Sequence, residues 1–339
     1  MTRESSIPRV SVITTVHNAE AFLETTLCSL LAQSYTDFES VVIDDGSEDG
    51  SADLVERLAA SDPRIRLIRQ RNAGYSNAVN RGLAEARGEL IAFLDHDDLW
   101  RQEKLQRQIE RLEHNPRAGL VSCFSALLDS RHHCTGWRFG ARAEGSVYRQ
   151  MRFCDLVAGG SVPLIRRDVI EAAGGFEPAP EVQGRSDWEA WLRVSRHCEF
   201  TTVDEILVGY VRRPGNYSAD YQRMIRAGEA VLRRAAETDP ELDHQVLRRA
   251  RARDAFGVFC LALADGRVDE AGGILRQSLH VSKMPVLHAP RRWGIVLLFA
   301  FARLLPAGFQ RPIWSRVATA MFGLTPGTPF LPDSSPAAD

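Results

Sequence analysis

The sequence predicts an α/β fold built on a largely parallel, doubly wound sheet, on two observations. Short apolar, β-branched runs alternate with amphipathic stretches through the first 115 residues. The apolar run Leu90-Ile91-Ala92-Phe93-Leu94 passes straight into Asp95, Asp97 and Asp98. Acidic oxygens therefore stand where a buried strand surfaces, the end at which such sheets bind their ligands.

The elements follow in order. Val10 to Val16 reads as a strand, 19–32 as a helix, and Glu39 to Asp44 as a second strand. A helix near 51–60, a short strand at 65–69, a helix near 75–87 ended by Gly88, and the strand 90–94 complete the series. Leu105, Ile109 and Leu112 then form one apolar helical stripe that stops before Asn115-Pro116, closing a nucleotide-binding half at about residues 8–115. From 116 to 218 the order is less regular, with strand-like 120–124 and 161–165, an Arg-, His- and Gly-rich loop at 130–146, and helices from Arg167 and Ser186. This half reads as the acceptor side. Residues 219–324 are helical in pattern, and the Pro-rich tail 325–339 reads as disordered.

Length and composition bound the function. A chain of 339 residues, 44% hydrophobic and 25% charged, is ordinary globular material, for two domains or one with a substantial appendix. A net charge of -2 gives no whole-molecule argument for binding nucleic acid. Six scattered Cys without CxxC pairs suit free thiols in a reducing cytoplasm, and the short polar N-terminus before the first strand does not read as a signal peptide. His132-His133-Cys134 is a poor zinc site, because adjacent residues do not converge on one ion.

Asp95 and Asp97 are two apart, so on an extended backbone they face one side and can share a hard cation, Mg²⁺ or Mn²⁺, that also holds a diphosphate. Asp98 reads equally as the cap of a helix starting near Leu99. The loop from Asp44 and Asp45 to Ser51 again follows a strand, where a carboxylate can take a base N–H or a ribose hydroxyl. It also reads as a plain turn ending in a cap. In the run from Asn72 to Gly82, small residues suit a close-packed helix start, with Arg71 or Asn72 in reach of a phosphate.

Taken together and in order, Val10 to Glu20, Ile43-Asp44-Asp45-Gly46-Ser47, Asn72 to Gly82 and Phe93-Leu94-Asp95-His96-Asp97-Asp98 resemble the successive motifs of the family 2 glycosyltransferases. The resemblance covers about residues 8–218 and implies the GT-A fold: a Rossmann-like, mixed but mainly parallel sheet flanked by helices, here followed by the C-terminal helical region. It implies that Thr15 and His17 line the nucleobase, with His17 where relatives commonly have Tyr. Asp44 and Asp45 would serve base and ribose, Arg71 and Asn72 the phosphates. Asp95 and Asp97 match the DxD that holds the divalent metal and the donor ribose. Val79 stands where many relatives have Arg.

Ala172-Ala173-Gly174-Gly175-Phe176 followed by Ser186-Asp187-Trp188-Glu189 is similar to the segment that carries the family's catalytic base, so the resemblance assigns that role to Asp187. Ser186 replaces the usual Glu. Ser186 to Glu189 also reads as a capping box. Tyr210 to Ser218 is similar to the segment closing this domain, with Arg213 at a His position, where it either meets the diphosphate or sits in a surface turn.

The resemblance implies an inverting, non-processive enzyme that moves one sugar from a nucleoside-diphosphate sugar, UDP by family preference with dTDP or GDP open, to a glycan or lipid-linked acceptor. Bacterial cell-surface polysaccharide or glycolipid synthesis is the expected setting. The stretch around 291–311, apolar with Arg291, Arg292, Arg303 and Arg311, is too short to span a bilayer. It reads either as a peripheral contact with the inner membrane face or as internal packing. Two other functions stand beside this one. A sugar-nucleotide nucleotidyltransferase would need a Gly-rich basic loop where His17-Asn18-Ala19-Glu20 stands, and a catalytically silent carbohydrate- or nucleotide-binding protein need not keep Asp45, Asp95, Asp97 and Asp187 together.

Overall fold

In the computed structural model, residues 7–213, 215–282, 295–297, 299–300, 316–317, 319–320 and 323–331 are described. The first half alternates as expected: β1 (Val10–Val16), α1 (Glu20–Leu31), β2 (Phe38–Asp45), α2 (Ser51–Ser61), β3 (Ile65–Gln70), α3 (Tyr75–Glu85) and β4 (Leu90–Phe93). Every residue of β1, β2 and β4 is buried, as strands covered by helices on both faces must be. Parallel pairing sets Val16 opposite Asp44, Asp45 opposite Gln70, and Ile13 opposite Phe93. Asp95, two residues past Phe93, therefore lies level with Thr15, and the ends of four segments meet at one sheet edge.

The second half is β5 (Leu99–Trp100), α4 (Lys104–Glu113), β6 (Ala118–Leu128), β7 (Cys134–Phe139), α5 (Tyr148–Met151), β8 (Leu164–Arg166), α6 (Arg167–Ala172), α7 (Ser186–Val194) and β9 (Glu199–Val211). The described strands form a mixed sheet in the order β3-β2-β1-β4-β8-β6-β9-β5, with β7 on β6. Strand β8 runs antiparallel to both β4 and β6 and joins the halves.

Several expectations are corrected. Leu99 starts a two-residue strand paired with Gly209, not a helix, so Asp98 caps nothing. The loop expected at 130–146 contains β7, and the strand expected at 161–165 starts only at Leu164. The long β9 was not legible, because its apolar pattern is broken by the exposed Asp204 and Glu205 and its pairing with β6 shifts register.

Three helices follow: α8 (Tyr221–Thr238), capped by Asp220, α9 (His244–Ala264), capped by Asp243, and α10 (Val268–Val281). They pack Tyr221, Met224, Phe256 and Phe259 onto Leu127 and Trp137 of the sheet. Within the described part of the 291–311 stretch, Ile295 and Phe299 are buried in the same cluster, Phe299 edge-on to Phe259 at 5.3 Å, while Leu297 between them is 63% exposed. The rest of it lies outside the described residues, among which no helix is long and apolar enough to cross a membrane.

The disordered tail expected from residue 325 is corrected as far as residue 331; 332–339 lie outside the described residues. Pro329 bridges to His133, and Phe330 is 1% exposed among Leu99, Leu128, Cys134 and Val211. Proline content misled here, because one aromatic anchor outweighs it. Phe330→Ala should cost about 3–5 kcal/mol in a denaturant titration; a change within about 0.5 kcal/mol would show that the segment contributes no packing.

Candidate active site

One side of the candidate site forms where β1 and β2 end. Asp45 is buried and its carboxylate accepts from Gln70 Nε2 at 2.7 Å and from the backbone N–H groups of Ala73 and Gly74 at 2.8 and 2.9 Å. It thus fixes the turn that starts α3. Asp44, also buried, accepts from the Ser47 N–H. Gly46 has φ +74°, and a Cβ there would lie 2.8 Å from the Asn72 backbone nitrogen, so glycine permits the two loops to approach. The His17 ring is 3.0 Å from the Asp45 carbonyl and 3.3 Å from the Asn72 amide. Thr15, His17, Asp44, Asp45 and Asn72 are therefore brought together. Arg71 beside them is exposed. Val79 is 2% exposed and belongs to the main core.

The acidic turn lies next to it. Asp95 accepts from the Tyr75 hydroxyl at 3.3 Å and donates its backbone N–H to Ser161 Oγ at 2.9 Å. His96 turns the other way, its ring on the Thr15 carbonyl at 3.0 Å and stacked on Phe22. Asp97 pairs with the Arg213 guanidinium and accepts from Asn216 at 3.3 Å. Arg213 also lies 3.3 Å over the Phe22 ring, with its Nε buried and unpartnered among the described residues. Gly160 closes the floor: a Cβ there would sit 3.1 Å from both Asp95 Oδ2 and the Tyr75 hydroxyl.

Burial, with the charges of Asp97 and then Asp187, pushes the Asp95 carboxyl up to about 7. Such a site is short of positive charge, and Arg213 on Asp97 is a resident stand-in cation. Asp95 and Asp97 stand on a turn, closed by the Asp98 N–H on the Asp95 carbonyl at 3.1 Å, and not on the extended backbone expected; their carboxylates are the oxygen donors that a hard divalent cation would use. Among the described residues no three His, Cys, Asp or Glu side chains form a cage of their own, His132, His133 and Cys134 included.

Asp187 sits in the first turn of α7, partly open to solvent, accepting from the Trp188 N–H at 2.8 Å. The capping-box reading is corrected: Arg185 takes the cap position without a side-chain bond, Ser186 donates to the Val182 carbonyl, and Glu189 pairs with Arg193. Trp191 aims the helix. Its ring packs on Phe93 at 5.7 Å and Phe176 at 5.4 Å, and its Nε1 donates to the Gly159 carbonyl. This brings the start of α7 over the end of β4. Burial raises the Asp187 carboxyl above its ordinary range, against the Trp188 N–H and Arg185, which lower it. Its charge acts in turn on Asp95 and on Asp155, each pushed up to about 7 chiefly by burial.

Tyr75, Ser161, Asp155, Phe22 and Asn216 were missed from the sequence. Only the Gly159-Gly160-Ser161 turn offered a local signal; the others acquire their place from folding.

Asp45, the acidic turn at 95–98 and, through the Trp191 Nε1 bond to the Gly159 carbonyl, helix α7 thus gather at one end of the sheet, the end at which α/β sheets bind their ligands. Residues 11–156 match the family described as Glycosyl transferase family 2, and the fold is that of the GT-A glycosyltransferases. The chain is 40% identical over 114 residues to an uncharacterized glycosyltransferase of Nostoc sp., covering 33% of this chain and 35% of that one. It is 41% identical over 117 residues to the uncharacterized glycosyltransferase EpsJ of Bacillus subtilis, 34% of each chain. TuaG of B. subtilis, named provisionally for teichuronic acid biosynthesis, is 40% identical over 104 residues, 30% of this chain and 41% of that one. The chain thus spans well under half the length of these relatives.

Two solved structures share the fold. Mannosyltransferase PcManGT from Pyrobaculum calidifontis, in complex with GDP-Man and Mn²⁺, aligns with TM-score 0.59 at 19% identity over 94% of this chain and 87% of that one. S. aureus TarS 1-349 in complex with UDP-GlcNAc gives 0.54 at 16% identity over 80% and 90%.

Proposed function

We propose that the chain is an inverting, non-processive glycosyltransferase that moves one sugar from a nucleoside-diphosphate sugar, most simply a UDP-sugar, to an acceptor hydroxyl. The synthesis of a bacterial cell-surface polysaccharide or glycolipid is its setting. The observation that carries the reading is geometric: parallel register sets the ends of β1, β2 and β4 side by side, and the Gly159-Gly160 turn that lies against Asp95 also takes the Trp191 Nε1 of α7, the helix that carries Asp187. The nucleotide sugars and Mn²⁺ held by the structural neighbours support the donor class and a divalent metal.

In this reading Asp45 and Asp44 hold the loops that enclose base and ribose, with Thr15, His17 and Asn72 on the crevice wall and Arg71 at its mouth. Asp95 and Asp97 hold the cation, which when bound neutralises charge on the leaving diphosphate as a Lewis acid. Arg213, displaced from Asp97, is free to meet the diphosphate. Asp187 Oδ accepts the acceptor hydroxyl's proton as that oxygen attacks the anomeric carbon from the face opposite the diphosphate. The C–O bond to the diphosphate breaks as the new one forms, and a single displacement inverts the configuration. Positioning and charge complementarity lower the barrier, since an oxocarbenium-like transition state needs no covalent partner.

A panel of UDP-, GDP- and dTDP-sugars screened for Mn²⁺-dependent release of nucleoside diphosphate tests the proposal. Metal-stimulated turnover with at least one donor is expected; metal-independent binding without turnover would favour a silent module. The base must be ionised to work, and burial raises its pKa. The acidic limb of the kcat/KM profile should therefore lie above the ordinary carboxylate value near about 4, activity rising with pH through it.

A further inference from the structure

We infer that Ser161 is a positioning residue which, through Asp98, sets the backbone that aims Asp95 and Asp97 at the donor and its cation. This rests on the glycosyltransferase reading and extends it to residues outside the acidic motif. Ser161 is 1% exposed, and its hydroxyl and carbonyl are both spent on the segment from Asp95 to Trp100. Its hydroxyl accepts the Asp95 N–H at 2.9 Å and donates to Asp98 Oδ2 at 2.6 Å, while its carbonyl accepts Trp100 Nε1 at 3.0 Å. One side chain therefore clamps the turn at its first and last residues, and the turn's own Asp98 N–H to Asp95 carbonyl bond, 3.1 Å, closes the ring.

The clamp reaches both flanks of the pocket. Asp98, 3% exposed, also accepts the Val211 N–H at 3.4 Å, and the segment after Val211 supplies Arg213 and Asn216 to Asp97. On the other flank Ser161 follows Gly159, whose carbonyl takes Trp191 Nε1, and Gly160, which lies against Asp95. Trp100 is itself fixed, fully buried with the Lys104 ammonium 3.9 Å over its ring. A carboxylate this deep without a ligand of its own is costly unless hydrogen-bonded, so its two bonds are the reason it is tolerated there. Outer-sphere groups of this kind orient ligating carboxylates and are commonly worth about 10- to 100-fold in metal affinity.

The test uses the full chain and calorimetric titration of UDP, GDP and dTDP, the tightest being carried forward, each with and without Mn²⁺. Ser161→Ala should lower the Mn²⁺-dependent gain in nucleotide affinity about 10- to 100-fold while metal-free affinity changes less than about 3-fold. Trp100→Phe, which keeps an aromatic side chain but removes the indole donor and leaves a small cavity at this buried position, should lower the same gain by a smaller factor, and it stands in if Ser161→Ala does not fold. A structural role alone would lower the melting temperature and leave that ratio untouched. An unchanged ratio in folded variants, beside a wild type that shows the gain, overturns the inference alone. A wild type with no Mn²⁺-dependent gain for any of the three nucleotides overturns the glycosyltransferase reading beneath it.

Discussion

Asp187→Asn is expected to bind donor nucleotide as the wild type does and to lose about 10²- to 10⁴-fold in kcat, the usual worth of a positioned general base. The substitution preserves shape, and the acceptor oxygen that takes the Trp188 N–H remains, so α7 should stay in place. Among the described residues Asp45 and Asn72 are held by Gln70, Ala73, Gly74 and His17, with no hydrogen bond from Asp187. The effect should therefore fall on kcat rather than on donor KM. Steady-state kinetics beside calorimetric binding separate the two, and turnover within about 3-fold of wild type would remove Asp187 from the base role.

Asp97→Ala should weaken catalysis through the cation. Charge neutralisation at a leaving diphosphate is worth several kcal/mol, so losing one of two carboxylates should lower kcat/KM about 100-fold or more. The Mn²⁺-dependent part of donor affinity should go with it. In the free protein the same substitution strands the Arg213 guanidinium, which is 18% exposed and whose Nε has no described partner. A modest stability loss should accompany the kinetic one. If Mn²⁺ strengthened donor binding to Asp97→Ala as much as to the wild type, the metal role of this turn would be excluded.

Much of this site was legible because its chemistry is written locally. A strand that is buried on both faces is mostly apolar, though β2 also buries Glu39 beside Arg66 and Arg87, so the acidic residues after Leu94 and Ile43 mark where these strands approach their ends. The helix stripe of Leu105, Ile109 and Leu112 was equally plain, and all three are at most 2% exposed. What stayed hidden depends on contacts between distant segments. Nothing near Ser161 shows that its hydroxyl will meet Asp98, 63 residues earlier. The role of Asp45 was read only in part, since its carboxylate already serves three donors in the fold and so builds the crevice as well as lining it. Capping-box spacing at Ser186 and Glu189 was misleading because Glu189 is drawn instead to Arg193, one helical turn on. Phe330 shows the converse error: composition spoke for disorder, and one buried ring decided the matter.

The most direct test of the central claim is a crystal structure of the chain with Mn²⁺ and a non-hydrolysable analogue of whichever donor the screen selects. The account predicts the diphosphate beside Asp95 and Asp97, Arg213 moved off Asp97, and the sugar's anomeric carbon between that turn and the Asp187 carboxylate. A nucleotide bound away from Asp45 and Asp97, or a sugar whose anomeric carbon faces away from Asp187, would contradict it.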